Sequence, residues 1–124
     1  MMLVKANTAY EAGQPPPPAL MEAIGKMGAS QQAKGILLQS GGLSPSSRGA
    51  RVVVTKGKVS VKDGPFAEVK ELIGGFAIMR ADSLDEAKEL GRAFMQVHVD
   101  VMGPSFDGEL EIRPMFDQGE CPEL

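Results

Sequence analysis

The chain has no tryptophan, one tyrosine, one histidine and one cysteine. Each scarcity removes a class of chemistry. The lone Cys121 closes no intrachain disulfide and supplies no cysteine set for zinc. A single histidine, His98, cannot build a His-rich metal centre, and no metal or other cofactor is expected. No apolar run approaches the roughly 20 residues needed to cross a bilayer. The opening residues Met1-Met2-Leu3-Val4-Lys5-Ala6-Asn7 lack the apolar core of a secretory signal and read as a first strand. A net charge of −3 leaves no cationic footprint for nucleic acid or an anionic membrane. The expectation is a cytoplasmic protein whose partners include neither.

What is present suits a packed domain. The 124 residues are 43% hydrophobic, enough for a real core, and eight methionines partly replace the missing aromatics. One domain is expected over residues 1–117, followed by an acidic tail, 118–124.

Met2–Asn7 reads as a strand, and Tyr10–Pro18 as a connector ending in four prolines. Proline is tolerated at a helix start, where its missing N–H would be unpaired anyway. A helix is expected from Pro18 to Ala33, with Leu20, Ile24 and Met27 on one stripe and Gly35 just past its end. Ile36–Ser40 reads as a buried strand closed by Gly41-Gly42. Arg51–Thr55 and Lys58–Lys62 flank Lys56-Gly57 as a hairpin. Leu72–Arg80 is the next strand, with Gly74-Gly75 marking a bulge or a close approach. Ser83-Leu84-Asp85-Glu86 is a capping box, and Leu84, Ala87, Leu90, Phe94 and Val97 form the buried stripe of the helix it opens. Val99–Asp107 reads as a connector, and Glu109–Met115 as the last strand. The order predicts an α+β fold: a ferredoxin-like βαββαβ with an inserted β-hairpin, two helices covering one face of an antiparallel sheet.

Alternation in the outer strands turns Glu111, Arg113, Lys5 and Asn7 away from the helices. The strand Phe76-Ala77-Ile78-Met79 offers apolar groups to both faces. One reading is a solvated outer face. The favoured reading is that this mixed face packs on a second copy and encloses a partly polar interior.

Asp63-Gly64-Pro65-Phe66 follows the hairpin. Asp can bond its own following backbone, Gly relaxes the allowed φ, and Pro fixes it, so the segment reads as a built corner. The run Lys62-Asp63-Gly64-Pro65-Phe66-Ala67-Glu68-Val69-Lys70-Glu71-Leu72-Ile73-Gly74-Gly75-Phe76 resembles the signature of the DGPF-domain, YCII-related proteins. Three further stretches agree in order and spacing: Leu37–Pro45, Ser83–Ala87 and Gly108–Pro114. The resemblance implies a dimeric α+β barrel made by face-to-face sheets. It also implies a largely unassigned activity, with distant lyases or isomerases acting on ring-cleavage products, and relatives linked to extracytoplasmic-function sigma factors. A His–Asp pair is a candidate site in the YCII branch, whose histidine comes early in the chain; this chain has no early histidine.

Four residues are candidates for a site. Asp63 could accept a proton at a pocket rim or cap the corner. His98, expected near the end of the second helix, could be a general base or a cation at the helix C-terminus. Arg113 could bind a carboxylate with its fork of donors or pair with Glu111 two residues earlier. Arg51 and Arg80 are weaker alternatives for the same task. The first hypothesis is a homodimer binding a small carboxylate-bearing metabolite through Arg113, Glu111 and Asp63. The rivals are a lyase or isomerase using carboxylate or histidine acid–base chemistry, and an accessory protein acting through a partner.

Overall fold

The computed structural model describes residues 1–117. The expected acidic tail, with Cys121, lies outside the described residues. Strand β1 (Met2–Lys5) gives way to a one-turn helix, α1 (Thr8–Glu11). Asn7 caps it, its side-chain oxygen accepting from the Tyr10 backbone N–H at 2.7 Å. The sequence pattern placed Asn7 on the sheet and Tyr10 in a connector. An Asx cap was available to the backbone there and won over strand alternation.

Helix α2 (Pro18–Ala33) starts with proline in its first turn and buries Leu20. Gly35, at φ 74°, takes the left-handed position beyond its end. Strand β2 (Leu37–Gly42) runs two residues past the expected stop. Its irregularity lies between Leu37 and Gln39, not at the glycine pair. Gly41 serves a close approach instead: a β-carbon there would stand 3.0 Å from the Phe76 ring.

Strands β3 (Ala50–Thr55) and β4 (Lys58–Asp63) form a separate two-stranded sheet. Its turn uses positive φ at Lys56 (52°) and Gly57 (77°), the primed geometry that matches strand twist. Strand β5 (Ile73–Met79) follows the corner. Its pairing with β1 skips Gly74, which is the expected bulge. Helix α3 (Leu84–Met102) opens on Ser83, whose hydroxyl accepts from the Glu86 N–H at 3.1 Å. It continues one turn beyond His98 and stops at Gly103, where φ is 92°. The last strand, β6, is short (Leu110–Ile112).

The main sheet has the order β2-β5-β1-β6, every neighbour antiparallel. With the hairpin set aside this is the ferredoxin-like arrangement. Gly91 brings α3 onto β6 so closely that a β-carbon there would stand 2.8 Å from Ile112 Cδ1 and 3.1 Å from Leu110 Cδ2. The register then sorts the faces. Leu110, Ile112, Val4, Met2, Ala77 and Met79 face the helices. Leu3, Lys5, Phe76, Ile78, Gln39 and Glu111 lie on the other face. Among the described residues only Met2, Leu20 and Leu72 are buried large apolar side chains. Most apolar residues of the sheet are half-buried.

Candidate functional site

Two polar clusters stand out, one across β1 and β6 and one at the corner after β4. At the first, Glu111 on β6 sits diagonally from Lys5 on β1, and Lys5 Nζ lies 3.3 Å from its carboxylate. Arg113 Nη1 approaches the other oxygen of the same carboxylate at 3.3 Å. One carboxylate thus holds two cations, as strand alternation predicts for residues 111 and 113. The three groups differ in exposure. The Lys5 side chain is 20% exposed, and that of Arg113 is 70% exposed. Most of the Arg113 fork therefore still faces solvent. Its backbone is fixed, since its N–H donates to the Met1 carbonyl at 2.9 Å and its own carbonyl accepts from the Met1 amine at 2.6 Å.

The Glu111 carboxyl is held below its ordinary value of 4.5, chiefly by the Lys5 hydrogen bond and then by the Arg113 one. A carboxyl whose folded-state pKa is depressed stabilises the fold above its unfolded value. That contribution is lost as pH falls through the folded value. Glu111→Gln should therefore lose less stability than the parent between about pH 6 and about pH 3. The effect is small, because the pair is at the surface. Urea midpoints at the two pH values check it; an equal loss in both proteins would refute the assignment.

The second cluster is the corner itself. Glu11, at the end of α1, accepts from the Ser46 backbone N–H at 2.7 Å and from its hydroxyl at 2.6 Å. The Ser46 hydroxyl oxygen in turn accepts from the Phe66 N–H at 3.0 Å. The Gly49 N–H donates to the Ser46 carbonyl at 2.9 Å, and the Gly64 N–H to the Gly49 carbonyl at 3.0 Å. The Tyr10 hydroxyl donates to the Leu43 carbonyl. Arg51 lies over the Phe66 ring, 3.8 Å from its centre. That cation–π contact engages one of the weaker anion-binding alternatives. Glycine at 64 answers a close approach: a β-carbon would stand 1.7 Å from the Ser46 carbonyl oxygen.

Asp63 is exposed at the end of β4, and its side chain makes no hydrogen bond or ion pair among the described residues. The corner is thus closed by Ser46 and Glu11, and the Asp63 carboxylate is not its cap. Sequence patterning alone does not single out Glu11 and Ser46. The signals were the Asn7 cap, which puts Glu11 on a helical turn, and the serine-rich stretch Leu43–Ser47.

His98 is 7% exposed, with Phe94 and Phe106 rings centred 4.7 and 5.3 Å away. Its Nδ1 lies 2.9 Å from the Phe94 carbonyl, and a carbonyl can only accept, so Nδ1 is the donor. This is a ring packed among rings, one turn before the helix ends at Met102. The helix runs on to Met102 because Val99 to Met102 keep helical spacing until Gly103 permits the exit.

One chain does not gather all the candidates. Arg113 pairs with Met1 at the start of β1, whereas the corner is tied to Glu11, beyond its end. Two shallow depressions, of about 300 Å³ between α2 and β2 and about 390 Å³ between α3 and β6, are lined by none of Asp63, His98, Glu111 or Arg113. No helix is long and apolar enough to cross a membrane, and no group of three or more metal-binding side chains occurs among the described residues.

Strand order, the split βαββαβ course and the inserted hairpin define a ferredoxin-like α+β domain. The chain belongs to the YCII-related domain family, which matches residues 1–101. It is also 37% identical over 82 residues to an uncharacterised protein of Rhizobium meliloti (strain 1021), covering 64% of this chain and 61% of that protein. The chain thus spans about three-fifths of the length of that relative. The family match ends within α3, so the Lys5–Glu111–Arg113 cluster on β1 and β6 is only partly inside it.

Proposed function

We propose that this protein is a homodimer that binds a small carboxylate-bearing metabolite, with the open sheet faces of two copies enclosing the site. The observation that carries this reading is the composition of that face. Half-buried Leu3, Phe76 and Ile78 form an apolar floor, and the Lys5–Glu111–Arg113 cluster borders it. An apolar floor with a few convergent polar groups is what a small-molecule site requires. The sparse core supports a partner, because the half-buried apolar residues of this face gain burial only from a second surface. Arg113 contributes planar donors, which fit a carboxylate in two-point contact. Glu111 already occupies one of them, so an incoming carboxylate competes with it and shares the Lys5 charge. Acid–base catalysis has less in its favour, since His98 is enclosed by Phe94 and Phe106 and Asp63 stands apart from the cluster.

The test is a thermal-shift screen with small mono- and dicarboxylates on the full chain. A ligand at about a hundred times its Kd adds about 2.7 kcal/mol, a rise of roughly 10 °C for a domain of this size. Arg113→Ala should weaken a hit on the order of tenfold or more. Lys26→Ala, an exposed position on α2, should leave it unchanged. No hit across the panel, or a hit indifferent to Arg113→Ala, would refute the reading.

A further inference from the structure

The β3–β4 hairpin is set apart from the body of the molecule. It forms a sheet of its own, and neither strand packs extensively on a helix or strand of the body. Among the described residues, 50–63 make no hydrogen bond or ion pair with any residue outside the hairpin. Within the hairpin the ladder is complete, from the Ala50–Asp63 pair to the Thr55–Lys58 pair at the turn. A unit with its own ladder and few buried contacts to its surroundings moves apart from them. A glycine stands at each of its two joints with the body. The Gly64 N–H donates to the Gly49 carbonyl at 3.0 Å, which ties the two joints together. That bond lies at the pivot, so it leaves the angle of the hairpin open. One side-chain contact spans the pivot. Arg51, on the first part of β3, holds its guanidinium 3.8 Å from the centre of the Phe66 ring. Phe66 belongs to the body, since its N–H donates to the Ser46 hydroxyl, which donates to Glu11.

We infer that the hairpin is a hinged arm pivoting at Gly49 and Gly64, and that Arg51 on the Phe66 ring is the latch that sets its angle. The device is complete within one chain and needs neither a ligand nor a second copy. Hinges of this kind are a few residues at element ends, often small ones, which absorb the change of direction. The contacts run in series, from Glu11 to Ser46, from Ser46 to Phe66 and from Phe66 to Arg51. Only the last of them touches the arm. Arg51 is exposed, and a cation–π contact at an exposed site shifts an equilibrium only about two- to fivefold. The latch therefore biases the arm toward one angle without locking it. Arg51 is a positioning residue: it acts on where the arm points, while the ladder alone holds the arm together.

The latch is tested on the full chain by pulsed spin-label distance measurements. Labels go on Lys58→Cys, in the arm, and Lys26→Cys, on α2, in a Cys121→Ser background. Unlabelled protein in excess restricts the readout to distances within one chain. The parent should show one favoured distance with a minor spread of others. Arg51→Ala should lower the ratio of the favoured distance to the rest by about two- to fivefold. Phe66→Leu, which keeps bulk but removes the ring, should do the same, and the two together no more than either alone. Arg51→Lys keeps a charge over the ring and should retain part of the bias. Val61→Thr has the same shape on the opposite face, and should leave the parent distribution. A distribution unmoved by Arg51→Ala, or moved equally by Val61→Thr, would overturn the latch. Hydrogen exchange separates swinging from unravelling. The ladder amides of residues 50–63 should stay protected in Arg51→Ala, and their loss would overturn the rigid arm.

Discussion

Replacing Gly64 by alanine is expected to cost at least about 3 kcal/mol of stability, a large share of the 5–15 kcal/mol that holds a typical domain folded. The new β-carbon would stand 1.7 Å from the Ser46 carbonyl oxygen and 2.7 Å from its carbonyl carbon. Backbone atoms cannot swing aside as the end of a flexible side chain can. The Ser46 carbonyl is also held by the Gly49 N–H. Relief therefore requires the corner to open. Opening it breaks the Gly64-to-Gly49 bond and the Phe66 N–H bond to the Ser46 hydroxyl. Urea unfolding measures the loss. Gly25→Ala is the control, because a β-carbon there meets nothing within 4 Å in a helix interior, and it should stabilise by about 0.5–1 kcal/mol. A Gly64→Ala protein within about 1 kcal/mol of the parent would show that the corner yields freely.

The elements that sequence reading located well are those whose signals are local. Ser83 and Glu86 form a cap within one turn, Lys56-Gly57 makes its own hairpin turn, and Gly74 is the bulge. Strand alternation sorted Lys5, Glu111 and Arg113 onto one face because side-chain direction in a strand has a period of two. Apart from the Asn7 cap, what it misjudged about the candidate residues depends on distant residues. Nothing near His98 in sequence reveals that Phe106, beyond the helix end, will pack on its ring. Gly64 could be recognised as special, but the reason is a carbonyl 18 residues away in sequence, not its φ. The corner likewise reads as self-contained, with Asp63 as its natural cap. Its closure comes from Glu11, 35 residues before Ser46. A carboxylate that binds a loop across such a separation leaves no periodicity to detect.

That closure makes Glu11 the residue whose loss should be felt furthest. Glu11→Ala removes the acceptor of two short bonds, at 2.7 and 2.6 Å, in a part-buried setting. Bonds to a charged acceptor contribute about 1.5–3 kcal/mol each, and the Ser46 donors left behind lose their partner, so about 3–4 kcal/mol is expected in urea unfolding. Glu11→Gln keeps the shape and one acceptor and should cost about half as much. Ser46→Ala should cost about 2–3 kcal/mol, since it leaves the Phe66 N–H without its acceptor. The Glu11→Ala, Ser46→Ala double variant should fall short of the sum by about 1–2 kcal/mol, because both changes remove the same bond. The Phe66 amide is the local reporter, and its hydrogen-exchange protection should drop in each variant. The corner also fixes the base of the hairpin through the Gly64 N–H bond to the Gly49 carbonyl. Additive single-variant costs would show that Glu11 and Ser46 act separately. A Glu11→Ala cost below about 1 kcal/mol would move the closure of the corner to the Gly49 and Gly64 backbone bonds alone.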